Sequence, residues 1–423
     1  MHNETIKKYL KLVEKTEPPI LHHIWSLISM MSANLGRRCW FEFGSTPIYP
    51  NQYILLVGDP GVRKSTAMSL AKKMIKGNRS VRIAPDDTGG QRQGLIMAML
   101  GQEESMESML EGLTDCEFSD LADNDKSTIN LDSPVSLEDR HTMYVFASEF
   151  ASFIGQSCYE LVTFLTKIWD GEDHNYTLKN SKQILEKPLL NLLGGTTPTA
   201  MSQALPLEVV GQGFLSRVIL VYAESSIKIA RPQALAEEGV AEIHKVFDYV
   251  AQNFSGAFKE TANASEFLDS LYFKDHHIAD TRFVYYMTRR HTHLIKLTMA
   301  LAALRGSQEI IREDVEDAEE LLSLTEKAMP SALGEFGLSP LGAARQKLLD
   351  YLNSSPDPYT MNNLWSLMQK DMKWSDFRQT LHDLVEEDKI LVWENDSVLY
   401  YTGKSKSRKR NRLDSEMEGL LNV

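Results

Sequence analysis

Apolar residues in the first 35 positions recur at three- and four-residue spacings: Tyr9, Leu10, Leu12 and Val13, then Ile20, Leu21, Ile24, Trp25, Leu27 and Ile28. That period predicts two helices, parted at Pro18–Pro19. The pattern then changes to short, nearly unbroken apolar runs. They are "CWFEF" (39–43), "YILLV" (53–57), "VRIAP" (81–85), "TMYVFASEF" (142–150), "KPLLNLLGGTTP" (187–198) and "SRVILVYAE" (216–224). Runs of this kind, alternating with helical stretches such as 65–75, predict an α/β core whose parallel sheet is buried on both faces.

From about position 238 the pattern turns helical again, over 238–253, 263–274, 281–305 and 313–329, the last opening with acids in its first turn. "LGEFGLSP" (333–340) reads as a linker. Beyond it, three short helical patterns precede "KILVWENDSVLYY", a hairpin with Asn395–Asp396 at its turn. Helix, helix, helix and hairpin is the order of a winged-helix domain. The expected organisation is a helical segment over 1–45, a core over 46–228, a helical lid over 229–332, a winged helix over 341–402 and a basic tail over 403–423.

Charge and composition sharpen this outline. A length of 423 residues fits two to three domains. The net charge of −13 is concentrated: residues 101–140 hold twelve Asp/Glu against Lys126 and Arg140, leaving only −3 elsewhere. That acidic stretch is poor in aromatic and β-branched residues and reads as a mobile insertion. The tail "KSKSRKRNR" (404–412) carries six basic residues in nine, a solvated terminus or a phosphate-contacting arm. No apolar stretch approaches the roughly 20 residues of a membrane span, and the N-terminus lacks a secretory pattern. Cys39, Cys116 and Cys158 are too widely spaced for a zinc site or disulfide framework, so a reducing, cytoplasmic setting is expected.

The chemistry starts at "GDPGVRKST", residues Gly58, Asp59, Pro60, Gly61, Val62, Arg63, Lys64, Ser65 and Thr66. A strand entering a glycine-rich turn and then a helix directs backbone N–H groups and a helix N-terminus at an anion. Lys64 would reach the β- and γ-phosphates of ATP, and the Ser65 hydroxyl would join the Mg²⁺ shell. Arg63 stands where such a loop usually has its second glycine. A helix-compatible backbone is expected there, with the side chain turned outward, onto phosphate, or toward a neighbouring subunit. Glu149, at the end of a buried strand, is the candidate for orienting the attacking water. Ser148 takes the place of a second acid and would hold a magnesium-bound water. Thr196 or Thr197, with Asn191 a weaker choice, would sense the γ-phosphate. Arg217, just before the fifth core strand, is either a solvated loop residue or a cation lent to an adjacent subunit's site. Arg289 or Arg290 is the candidate second sensor in the lid.

With those parts in this order, the chain resembles the P-loop replicative helicases of phages and plasmids, the helicase half of primase–helicase proteins. "YPNQYILLVGDPGVRKST", "VFASEF", "WDGEDHNYTLKN", "LLNLLGGTTP" and "GFLSRVILVY" carry the resemblance, over about residues 20–330. The order of lid and winged helix is also similar to superfamily 3 and minichromosome-maintenance helicases. The resemblance implies an AAA+-like ring ATPase, a homo-hexamer or similar assembly, that moves on single-stranded DNA. A primase or replication initiator is implied as a further partner, and no membrane. Arg63 and Ser148 depart from the family pattern, and the acidic insertion is outside it.

In such rings a hairpin ahead of the sensor strand projects into the channel. "YTLKNSKQI" alternates polar and apolar around Asn180–Ser181, so Lys179 and Lys182 would face DNA phosphates. The third helix of the winged domain, over 375–387, offers Arg378, Gln379 and His382 among Asp376, Asp383, Glu386 and Glu387. That is a poor face for duplex DNA and favours a protein partner. Two other functions fit the same residues: a helicase loader or replication-initiation switch that does not unwind, and a non-hydrolysing origin-binding protein. The ring motor requires that Arg217 leave its own subunit, so an Arg217 buried against its own sheet would overturn it.

Overall fold

All five residues of Tyr53–Val57 are buried, as a strand covered on both faces requires. The computed structural model describes residues 1–403 except 77, 79, 86–91, 101–138, 156–157, 178–181, 206–212, 225–227, 232, 279, 335–339, 356, 388 and 396–397. In chain order, helices α1 (Glu4–Val13) and α2 (Ile20–Leu35) are followed by β1 (Cys39–Phe41), β2 (Tyr53–Val57) and α3 (Lys64–Ile75). Next come β3 (Thr142–Ala147), the strand pair β4 (His174–Thr177) and β5 (Lys182–Leu185), β6 (Leu189–Thr196) and β7 (Val218–Tyr222). The main sheet has the order β3-β6-β2-β7 and every pairing in it is parallel. The fold is therefore mixed α/β with a parallel sheet, as the apolar runs predict.

One expected feature differs. "VRIAP" forms a single parallel bridge, Ile83 to Tyr144, rather than a strand. The acidic stretch lies outside the described residues apart from Asp139 and Arg140 at its end.

The largest surprise is α2. From His22 to Leu35 every residue is buried, as a helix packed on all sides must be. It packs against α3, β6 and the helix Arg290–Leu304. Several of its polar groups find partners: Ser26 Oγ donates to His22 O at 2.7 Å, Trp25 Nε1 to Thr325 Oγ1 at 2.9 Å, and Tyr144 Oη to Ser29 Oγ at 2.8 Å. The segment following β7 is also less purely helical than its periodicity predicts. It contains β8 (Gly256–Glu260) and β9 (Glu309–Ile310), which pair in parallel with β1 in the order β1-β8-β9. The N-terminal helices, the main sheet and the helices after it form one compact unit, Met1–Gly334.

The second unit, Glu335–Val423, is built from helix Pro340–Ser354, β10 (Tyr359–Thr360), helices Met361–Met368 and Trp374–Glu386, and the hairpin β11 (Ile390–Asn395) and β12 (Val398–Gly403). Its sheet has the order β10-β12-β11 and is antiparallel. Leu348, Leu364, Phe377, Leu381 and Leu384 fill its core. Phe377, Thr380, Leu381 and Leu384 form the inward face of the third helix. Arg378, Gln379, His382 and Glu386 remain exposed, and Gln379 Nε2 donates to Asp383 Oδ1 at 2.8 Å. The basic tail lies outside the described residues.

Candidate functional site

Parallel strands place their carboxyl ends on one edge, the edge where ligands of open α/β sheets bind. Here β2 delivers Gly58–Thr66 to that edge, β3 delivers Ser148 and Glu149, and β6 delivers Thr196 and Thr197. Register sets their heights. Val57 is level with Thr196, and Ala147 with Gly194, so Ser148 comes level with Gly195. β6 lies between the other two strands, which separates the loop from Glu149 by about 10 Å, two strand spacings. Gly195 keeps the layers close: a Cβ there would come within 2.9 Å of Ser148 O and 3.1 Å of Met68 Sδ on α3.

The loop has the form of a cradle. Gly58 and Val62 are buried, while Asp59, Pro60, Gly61, Arg63, Ser65 and Thr66 are exposed at its rim. Gly61 has φ +96°, which favours glycine. Lys64 opens α3, and its Nζ donates to Gly58 O at 2.6 Å and Asp59 O at 3.0 Å. Partial burial holds its ammonium below the ordinary lysine range, against the opposing fields of Glu149 and Asp59. Glu149 immediately precedes the short helix Phe150–Ile154 and is exposed. The sequence reading places Lys64, Ser65, Ser148 and Glu149 in one site, and the structure brings them to one edge.

Arg63 requires a correction. Its backbone is left-handed, φ 60° and ψ 27°, not helix-compatible. In a non-glycine residue that conformation costs about 1–2 kcal/mol. Its side chain is half exposed and is held by a partner in its own chain that the sequence does not reveal. Nε pairs with Glu17 Oε2 at 2.5 Å, in the connector between α1 and α2.

Thr196 is fully buried at the end of β6, and its hydroxyl donates to Thr197 O at 3.3 Å. Thr197 Oγ1 accepts from Ala200 N at 3.0 Å and so caps the helix Pro198–Ala204, which leaves its hydroxyl proton available to an acceptor. Asn191 is excluded as a sensor. It sits toward the far end of β6 and accepts from Gln52 N at 3.1 Å.

Arg217 is the principal correction. It lies at the amino end of β7, opposite the phosphate edge, and is 8% exposed. Nη2 donates to Asp170 Oδ2 at 2.7 Å and Nη1 to Gly213 O at 3.0 Å, with the guanidinium 5.6 Å from the Trp169 ring centre. The residue is an internal clamp in its own subunit. Arg289 shares its anchor, 3.7 Å from Asp170 Oδ1 and 5.5 Å from the same ring. Lys296 completes the cluster, 4.2 Å from the Trp169 ring centre, with Nζ donating to Tyr49 O and Asn51 Oδ1. Burial pushes the Lys296 ammonium down to about 7.

Arg290 is also not a sensor. It is 4% exposed and bound along one helix, to Glu326 at 2.8 Å, Glu319 at 2.9 Å and Ser323 Oγ at 3.1 Å. Burial opposes its charge, and the two carboxylates more than offset this, holding its pKa above the ordinary value.

The hairpin ahead of the sensor strand exists as β4 and β5, antiparallel, with Thr177 paired to Lys182. Lys179 and the Asn180–Ser181 turn lie outside the described residues, and Lys182 is placed only as the first residue of β5. Its base is fastened to the core: Arg37 Nη1 donates to Gly171 O and Pro188 O, each at 3.3 Å, and His141 Nδ1 lies 2.7 Å from Glu186 O. Glu17, Arg37 and Asp170 escape a sequence reading, because single charged residues between elements carry no periodic signal. His22 escapes it too, although its Nε2 lies 3.2 Å from Val221 O and burial pushes its imidazole down to about 4.

Among the described residues no cluster of His, Cys, Asp and Glu could hold a metal by itself, and no helix is long and apolar enough to cross a membrane. A Mg²⁺ at this edge would instead be carried by nucleotide phosphates, with Ser65 and Ser148 as protein oxygens. The chain matches no protein-family model and no curated protein.

Proposed function

We propose that this protein binds ATP with Mg²⁺ at Gly58–Thr66 and hydrolyses it with Glu149 orienting the water. What carries the reading is the convergence of the loop, Glu149 and the two threonines on the carboxyl edge of one parallel sheet. In this reading Lys64 leaves the loop carbonyls for the β- and γ-phosphates, and Ser65 and Ser148 face the metal. Thr197 keeps its hydroxyl proton for the γ-phosphate. Backbone N–H groups of the cradle and the α3 N-terminus supply the remaining positive field.

The wider reading is an ATP-dependent DNA replication protein acting on single-stranded DNA through the β4–β5 hairpin, with Arg217 held in its own chain counting against a ring motor. It is supported by the hairpin, fastened at its base and placed one strand ahead of β6. A helicase loader or initiation switch is the second reading. It is favoured by a specific observation: Arg217, the cation a shared ring site would borrow, is bound to Asp170 of its own chain. Phosphate release and strand displacement on forked DNA, each with and without Lys64→Ala, test the proposal. Lys64-dependent hydrolysis with unwinding supports the motor. Hydrolysis stimulated by single-stranded DNA without unwinding supports the loader. Absence of hydrolysis removes both.

A further inference from the structure

Left-handed backbone is rare outside glycine, and a phosphate loop is where a conformational error costs most. Among the described residues only Arg63 and Lys187 hold positive φ without being glycine. Arg63 does so directly before Lys64, with no side-chain cap on the helix it opens. Something outside the loop must favour that geometry, because arginine has no intrinsic preference for it.

Glu17 is that group by position. Its carboxylate side chain is 15% exposed and pairs with Arg63 Nε. Its Oε1 also accepts from Ile229 N at 3.2 Å, in the segment following β7. Glu17 does not cap the helix that follows: α2 begins at Ile20 with Pro19 as its N-cap, no side-chain cap and no acid in its first turn. One carboxylate thus ties the α1–α2 connector, the phosphate loop and the chain leaving the sheet.

We propose that Glu17 is a positioning residue for nucleotide binding: through Arg63 it holds the loop in its left-handed, phosphate-receiving form. This inference rests on the nucleotide-site reading above. Glu17 does not touch nucleotide in it, so its effect must pass through Arg63. A glycine at position 63 adopts positive φ freely and needs no such support.

The test is a cycle of four full-length proteins, wild type, Glu17→Ala, Arg63→Gly and the double variant, titrated with a fluorescent ATP analogue and Mg²⁺. Glu17→Ala should weaken binding about two- to fivefold, the range for a partly exposed ion pair. Whatever affinity Arg63→Gly has is the reference for the double variant, and adding Glu17→Ala to it should change binding no further. Equal losses in both backgrounds, or none in either, overturn the proposal. Lys64→Ala separates the two levels. Should wild type and Lys64→Ala both fail to bind, the nucleotide reading falls, and the cycle is read by thermal unfolding instead. There Glu17→Ala must lower the midpoint further in the wild-type background than in the Arg63→Gly background, where only the bond from Ile229 N is lost; equal falls in both refute the tie.

Discussion

Replacing Arg217 with alanine decides whether this residue is a clamp or a cation lent to another subunit. Removing one partner of a buried ion pair costs about 3–5 kcal/mol when the other is stranded. Asp170 would not be fully stranded. Its side chain is 36% exposed, and Arg289 remains 3.7 Å away. The electrostatic loss is therefore nearer about 2 kcal/mol, to which the lost contact with Trp169 adds about 0.5–1 kcal/mol. For a unit of 334 residues, Met1–Gly334, each kcal/mol moves the midpoint by about 1.4 °C, so thermal unfolding should fall by about 4 °C. Asp170→Asn should give a similar fall, and the double variant less than the sum, because the two remove one interaction. Circular dichroism melting alongside phosphate release measures both properties. An unchanged melting midpoint together with hydrolysis lost more than tenfold in an assembled protein would refute the clamp and restore the shared-site role.

Other expectations follow from the same geometry. Lys64→Ala removes the cation from the cradle and should weaken ATP binding about 100-fold or more by equilibrium titration. Glu149→Gln should retain ATP while turnover falls about 10²–10⁴-fold, and normal turnover would remove its water-orienting role. Lys179→Ala with Lys182→Ala should weaken single-strand affinity and flatten the slope of log affinity against log salt by about 1.4, for two phosphate contacts. An unaltered slope would exclude the hairpin from the DNA path. Lys296 is buried and its pKa is pushed down to about 7, whereas an unfolded lysine titrates near 10.5. Between those values the unfolded chain binds the extra proton, so stability should rise with pH across that window. Lys296→Met should abolish that rise in denaturant titrations run at pH 7 and pH 10.

By itself the sequence determined the strands of the main sheet and the glycine-rich turn that leads from β2 into α3. Continuous apolar runs such as Tyr53–Val57 are written by burial on both faces, and a glycine turn followed by Lys64–Ser65 is written by local backbone and charge requirements. Both signals are short-range, so they survive without knowledge of the fold. The three helices and hairpin of the C-terminal unit were legible for the same reason, whereas the two-residue β10 was not. Tertiary structure alone decided which charges meet. Arg217 finds Asp170 across 47 positions, and Arg290 finds Glu319 and Glu326 across 29 and 36. No spacing rule connects such pairs, so both arginines read as free until packing shows them spent. The same holds for α2, whose periodicity predicts one apolar stripe yet which the fold covers on every side. It holds also for β8 and β9, too short and polar to announce themselves without β1 beside them. Arg63 lies between the two cases. Its place in the loop is local, but the left-handed backbone it adopts is matched by Glu17, a partner only the folded chain supplies.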